Sequence, residues 1–538
     1  MKQLAEINLG YGDAINYRNN RRYMDMFAAT FVKDEKLERL MNDDTYFLIG
    51  DKGTGKTAYA VYLENNEYKN TKSRVIEIGQ TDFKLFMNFQ RLGFLQLADF
   101  TRVWKIILLM NMADFIDKSD IASFGPNRSA KFEEIKNSID NYYDNAFIPE
   151  VSGSFRYVFD SASASKAGID ISVLENIGFN LNGEESQRFQ EEHNISKFQN
   201  NLLELERDYI SAFSRLKIKR NRFIFIDSID ILVDGYTMEE YQTCLRGLAN
   251  AILDINKGIF RSMPVDGGFL KIILAIRTDI FPILRLHNQA NVIRDNSVVL
   301  DWRTAYASYR KSPLFLLCNR LLTYENDDVN ENNAWDTYFP WHTVSTNDRK
   351  SFDDSFINCL KLSLSRPRDL ISIMKAIQKS SAKKAGIVSE LDDLISHDTQ
   401  NEISNYYIDE AKDWCLHKFS DKGFKTFMFF FQFLNGKARF SYPEYEKFFK
   451  EYVAQVEARN LEKFEELKDK NDFLQLLFDL NMICYYEKLA NGDEYYRFCY
   501  REREIYNLSP QVKINSIYGV HYALLKALNL GRSSTPVE

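Results

Sequence analysis

Eight residues carry the strongest chemical signal in the chain: Gly50-Asp51-Lys52-Gly53-Thr54-Gly55-Lys56-Thr57, a complete G-x-x-x-x-G-K-[ST]. Glycines at these places let a backbone turn its N–H groups inward without Cβ clashes, which makes a nest for phosphate. Thr45-Tyr46-Phe47-Leu48-Ile49 before the loop is a short apolar run suited to a buried parallel strand. Thr57-Ala58-Tyr59-Ala60-Val61-Tyr62-Leu63-Glu64 after it is helix-compatible. A helix starting there adds unpaired donors and partial positive charge at its N-terminus. In that role Gly50, Asp51, Lys52, Gly53, Thr54 and Gly55 wrap the phosphates with their backbone. Lys56 bridges the β- and γ-phosphates, and the Thr57 hydroxyl ligates Mg2+.

A phosphate cradle needs a second acid for the metal, delivered from a neighbouring strand. Arg222-Phe223-Ile224-Phe225-Ile226-Asp227 supplies it, with Asp227 holding Mg2+ through its water shell. No Glu follows Asp227, so Asp230 is the nearest acid for polarising an attacking water. Phe269-Leu270-Lys271-Ile272-Ile273-Leu274-Ala275-Ile276 reads as another buried strand, and Arg277 at its end points toward the crevice where α/β ligands bind. Arg277 is either a γ-phosphate sensor or the local partner of Asp279; both readings stand at this point. In Ser365-Arg366-Pro367-Arg368-Asp369 the proline presets a helix start; Arg368 in the first turn is a surface charge or, if that helix forms a lid, reaches a phosphate, and the second reading leans on the resemblance below.

These motifs in this order resemble the AAA+/STAND class of P-loop ATPases, and within it the bacterial ATPases related to origin-recognition initiators. The likeness includes Asn8-Leu9-Gly10-Tyr11-Gly12-Asp13-Ala14, Ile276-Arg277-Thr278-Asp279 and Val298-Val299-Leu300-Asp301-Trp302. It implies Phe31 and Val32 near adenine, Arg277 as sensor 1 and Arg368 as sensor 2, with ATP and Mg2+ as cofactors. The Asp227-Ser228-Ile229-Asp230 arrangement is similar to the STAND pattern and suits a slow switch better than a motor. Members of such families often complete the site with an arginine from a neighbouring subunit, for which Arg294 is the candidate. Stand-alone bacterial relatives commonly sit in anti-phage defence cassettes, which sets the biological expectation.

The elements that must position these residues are spread over 538 residues, enough for three or four domains. The expected class is α/β: a P-loop AAA+-like core with a parallel sheet over 1–310, a helical lid over 311–400, and a winged-helix-like domain over 401–538. Arg74-Val75-Ile76-Glu77-Ile78 is a second strand, and residues 95–115 form a long apolar helix. Residues from about 120 to 200 look inserted, and the alternation over 154–160 and 168–173 suggests a β-ribbon. In the C-terminal part, aromatic helices precede Ala490-Asn491-Gly492-Asp493, a hairpin turn between alternating strands.

Charge and composition narrow the function. With 69 Lys+Arg against 76 Asp+Glu, the net charge of −7 gives no global basic field for coating nucleic acid. The six cysteines are scattered and the six histidines lack metal spacing, so neither a disulfide framework nor a zinc site is expected. The N-terminus lacks an apolar signal and no apolar run approaches the length of a membrane span, so the expectation is a cytoplasmic protein without membrane contact. The helix read over 471–480 contains Asp472 and Asp479 and no Lys or Arg, which disfavours it in a DNA groove. Arg497, Arg501 and Arg503 remain candidates for a phosphate backbone, diluted by Glu502 and Glu504. The reading is a slow, Mg2+-dependent ATPase switch that controls a separate effector protein or its own oligomerisation. A DNA-binding initiator or loader and a non-hydrolysing ATP-binding scaffold are the alternatives.

Overall fold

The computed structural model describes residues 1–79, 97–121, 192–227, 237–344, 352–384, 386–415, 418–488, 494–504 and 507–531, with 84, 87, 90, 91, 95, 130, 132–137, 158 and 229 between them. They fall into two compact units. One comprises Glu35–Gly50 and Lys56–Leu300; the other comprises Met1–Asp34, Asp51–Gly55 and Asp301–Glu538.

The first unit is built on five parallel strands, β1 (Phe47–Ile49), β2 (Thr71–Glu77), β3 (Asn221–Asp227), β4 (Leu270–Ile276) and β5 (Ser297–Val299). Their spatial order is β2-β3-β4-β1-β5. An α/β fold with a parallel sheet is therefore present, as the apolar runs predict. Every residue of β4 is buried, whereas the edge strand β2 alternates between buried and exposed positions at its start. Lys271 is the exception to the apolar rule in β4. Its ammonium donates to Leu40 O at 2.5 Å and Asn42 O at 2.6 Å, and burial pulls its pKa down to about 7.

Helices Leu97–Phe115, Glu192–Phe213 and Met238–Asp254 pack in the same unit. Gly247 permits the close approach of two of them, since a Cβ there would meet Phe100 Cβ at 2.7 Å. Arg102 and Lys105 on the first helix reach Glu206 on the second at 2.8 and 3.2 Å. The β-ribbon expected over 154–160 and 168–173 lies outside the described residues, apart from Val158, which is helical and buried.

The second unit combines helices with β6 (His342–Val344) paired to β7 (Phe352–Asp354), and a four-stranded antiparallel sheet. That sheet contains β8 (Arg439–Ser441), β9 (Ile483–Lys488), β10 (Glu494–Phe498) and β11 (Ile517–Val520), in the order β10-β9-β11-β8. The predicted strands around Asn491-Gly492 pair antiparallel as β9 and β10, while the turn itself lies outside the described residues. Helices Asp421–Phe429, Tyr442–Ala458 and Lys470–Asp479 share an aromatic core, with Phe473 centred 4.9 Å from Phe430 and 5.5 Å from Tyr452.

Residues 1–34, read from the sequence as part of a 1–310 core, belong to this second unit. Helix Pro367–Lys383 holds them: Gln378 donates to Leu4 O and Ile7 O at 2.8 and 2.7 Å, and Lys375 donates to Gly10 O at 2.6 Å. Residues 311–400 and 401–538, read as two domains, also lie together here. Among the described residues no helix is long and apolar enough to cross a membrane. All six cysteines are buried free thiols.

His521 gives this unit a defined acid response. Its ring is 2% exposed, with ring centres of Phe498 and Tyr407 at 5.0 and 5.7 Å, and Nδ1 accepts from Ala523 N. Burial pushes its pKa down to about 4; Asp369 opposes that shift and Arg501 and Arg366 add to it. An unfolded histidine titrates near 6.5, so the unfolded chain binds the proton first. Stability from the neutral ring is present above pH ~6.5 and is lost as pH falls toward the folded value, a loss of about 3 kcal/mol. Urea unfolding between pH 6.5 and 4.5 is expected to show this slope, and His521→Gln to flatten it by nearly one proton.

Candidate functional site

The site is assembled from the carboxyl ends of the parallel strands. In the first unit, Gly50 N continues the ladder beyond β1 by donating to Ile276 O at 3.1 Å. Helix Lys56–Asn65 begins with Lys56, whose side chain turns back and donates to Gly50 O at 3.0 Å; the residue is 8% exposed. Asp227 ends β3 and is 5% exposed. The Thr57 hydroxyl donates to Asp227 Oδ2 at 2.7 Å. Two hard oxygen atoms from residues 170 apart therefore meet at one point, and their chemistry fits Mg2+ better than a soft metal.

Arg277 follows β4, which lies between β3 and β1 in the sheet. It is 3% exposed, and Nε and Nη2 donate to the two Asp279 oxygens at 2.9 and 2.7 Å. Of the two readings open for Arg277, the structure displays the local ion pair. Arg294 is exposed and pairs with its neighbour Asp295 at 2.9 Å. Asp230, the expected water-polarising acid, lies outside the described residues.

In the second unit, the loop residues Asp51–Gly55 are tightly engaged. Gly53 and Gly55 take φ of +83° and +94°, conformations that need glycine. Asp51 O accepts the Thr54 hydroxyl at 2.8 Å, Lys52 O accepts Arg366 Nη1 at 2.8 Å, Gly53 O accepts Arg368 N at 3.4 Å, and Thr54 O accepts Trp302 Nε1 at 2.8 Å. With Gly50 O taken by Lys56, each carbonyl from 50 to 54 accepts a hydrogen bond.

Both arginines of the Ser365-Arg366-Pro367-Arg368 motif serve the loop. Arg368 is partly exposed; Nε donates to Gly12 O at 3.2 Å and Nη1 lies 3.5 Å from Glu410. Its Cβ would lie 3.2 Å from a Cβ placed on Gly53. Arg366 is locked by Asp369, which is fully buried and also accepts from Leu364 N and the Tyr406 hydroxyl. Lys52 pairs with Asp413 and lies 3.4 Å from Glu410, while Asp51 accepts from Arg503. Phe31 and Val32, read as adenine contacts, are both buried at the end of helix Arg21–Thr30, and Arg320 donates to Phe31 O at 2.8 Å.

Sequence reasoning missed Arg366, Glu410 and Arg503 as loop contacts. Arg366 stood one residue from Pro367 in a motif already singled out. Glu410 and Arg503 lie too far along the chain to leave any local pattern.

Removing Asp369 would leave the Arg366 guanidinium buried without its main counter-charge. Asp369→Ala is expected to cost about 3–5 kcal/mol, read from the midpoint of urea unfolding at constant m. No protein-family model matches the chain and no curated protein matches it, so the chemistry of the site is argued from its own residues.

Proposed function

We propose that this chain binds ATP with Mg2+ and hydrolyses it slowly, as a nucleotide-controlled switch of the P-loop AAA+/STAND kind. The Thr57–Asp227 hydrogen bond carries this reading, because it joins the loop's last residue to the acid of a separate strand. Thr57 and Asp227 would hold the ion, whose charge would offset that building on the phosphates. Lys56 would exchange its bond to Gly50 O for the β- and γ-phosphates. The left-handed glycines Gly53 and Gly55 support a nest of backbone N–H groups for phosphate. Under this proposal helix Pro367–Lys383 acts as a lid element and the β8–β11 sheet with its helices as a winged-helix-like module. Anti-phage defence, with a separate effector or a second copy as partner, is the setting we favour by resemblance.

The arginine environments favour partner control over DNA loading. Arg497 pairs with Glu487 and Glu502 at 3.0 Å each, and Arg501 donates to the hydroxyls of Tyr306 and Tyr500. Arg503 is bound to Asp51. Side chains committed in this way are poor donors for a phosphate backbone.

Calorimetry on the 538-residue chain is expected to detect ATP uptake that strengthens with Mg2+. Lys56→Ala should weaken it about 10- to 100-fold, the loss of a charge-assisted hydrogen bond. Asp227→Asn should retain uptake but lose most of the Mg2+ dependence and phosphate release. Folded protein that takes up neither adenine nor guanine nucleotides would overturn the proposal.

A further inference from the structure

Asp51 puts a carboxylate into the loop that the proposed function assigns to a triphosphate, and like charges there repel. The second unit answers this charge from far along the chain. Arg503 is 452 residues away in sequence, and its Nη1 donates to both Asp51 oxygens at 2.6 and 2.5 Å. The pair is largely shielded, with side chains 10% and 20% exposed. Coulomb forces there are screened less than at an open surface.

Arg503 is also mechanically placed. It caps the short helix Cys499–Glu502, which continues directly from β10. The same segment is held by Arg501 on Tyr306 at 2.8 Å and by Arg303, which donates to Arg501 O at 2.7 Å. A small cavity lined by Asp51, Lys52, Arg366, Glu410, Arg503 and His521 adjoins the pair, so the ion pair is not packed solid on every side.

We infer that Arg503 is a positioning residue for the loop, coupling nucleotide uptake to the docking of the 499–503 segment. Paired with Arg503, the Asp51 charge is offset and the loop accepts a triphosphate; without Arg503, Asp51 loses this guanidinium counter-charge and its repulsion of the phosphates grows. Linkage makes the effect reciprocal, so bound nucleotide holds the segment in place and release of nucleotide loosens it. This inference rests on the ATP reading above and adds the route by which the C-terminal part senses it.

The test is a double-mutant cycle in the 538-residue chain, titrating a fluorescent ATP analogue with Mg2+ and following hydrogen exchange of residues 494–504. R503Q is expected to weaken uptake about tenfold, within the usual range of coupling between linked sites. D51N should bind at least as tightly as the unmodified protein, and D51N/R503Q should match D51N within about twofold. ATP should slow exchange over 494–504 in the unmodified protein and leave it unchanged in R503Q and D51N. A purely structural Arg503 would not be rescued by D51N. Uptake by R503Q equal to that of the unmodified protein, a double variant as weak as R503Q, or exchange indifferent to ATP would each overturn the coupling while leaving the ATP reading intact. Should R503Q fail to fold, D51N alone decides the matter, through retained uptake with lost protection. If the unmodified protein takes up no analogue, the ATP reading falls and this inference with it.

Discussion

Asp227 accepts a hydrogen bond from Thr57 although 170 residues separate them, and the rest of the site depends on that meeting. Parallel strands bring it about. When every strand of β2-β3-β4-β1-β5 runs the same way, all carboxyl ends lie along one edge of the sheet. Strands β1 and β3 are then separated only by β4. The length of chain between them is immaterial, because it leaves and re-enters the sheet at fixed points. The wholly buried β4 keeps the spacing rigid, and the cost of its one charged residue is limited by two backbone carbonyls that receive the Lys271 ammonium.

A second constraint acts on the loop. Five successive carbonyls from 50 to 54 are each engaged, by a lysine, a threonine, two residues of the Arg366–Arg368 motif and a tryptophan. Peptide groups have two polar sides, so holding the carbonyls fixes where the amides can face. The charges alternate in the same way: Asp51 is met by Arg503, and Lys52 by Glu410 and Asp413. Buried Asp369 then orients Arg366 toward Lys52 O. The loop is thereby tied to residues that lie between about 250 and 450 positions downstream.

Local pattern made some of this legible. The glycine loop is a contiguous motif whose backbone needs are written in residue types, and Gly53 and Gly55 do adopt left-handed φ. Apolar runs marked β1, β3 and β4, because buried parallel strands cannot carry polar faces. The hairpin strands β9 and β10 followed from Asn-Gly between alternating segments. Pro367 marked the start of its helix through its preset φ.

Long-range pairing was not legible, for a physical reason. An ion pair such as Asp51–Arg503 requires only two opposite charges brought together by folding, and neither end leaves a trace in its neighbours. The grouping of residues 1–34 with 301–538 likewise rests on distant partners: side chains of helix Pro367–Lys383 reach the carbonyls of Leu4, Ile7, Gly10 and Gly12, and Arg320 reaches that of Phe31. Residue type and spacing by themselves determined the glycine-loop motif, the α/β class and the acid at the end of β3, because each is a property of contiguous chain. Tertiary structure alone decided which charges hold the loop, because electrostatic partners are chosen by distance in space and not by distance along the chain.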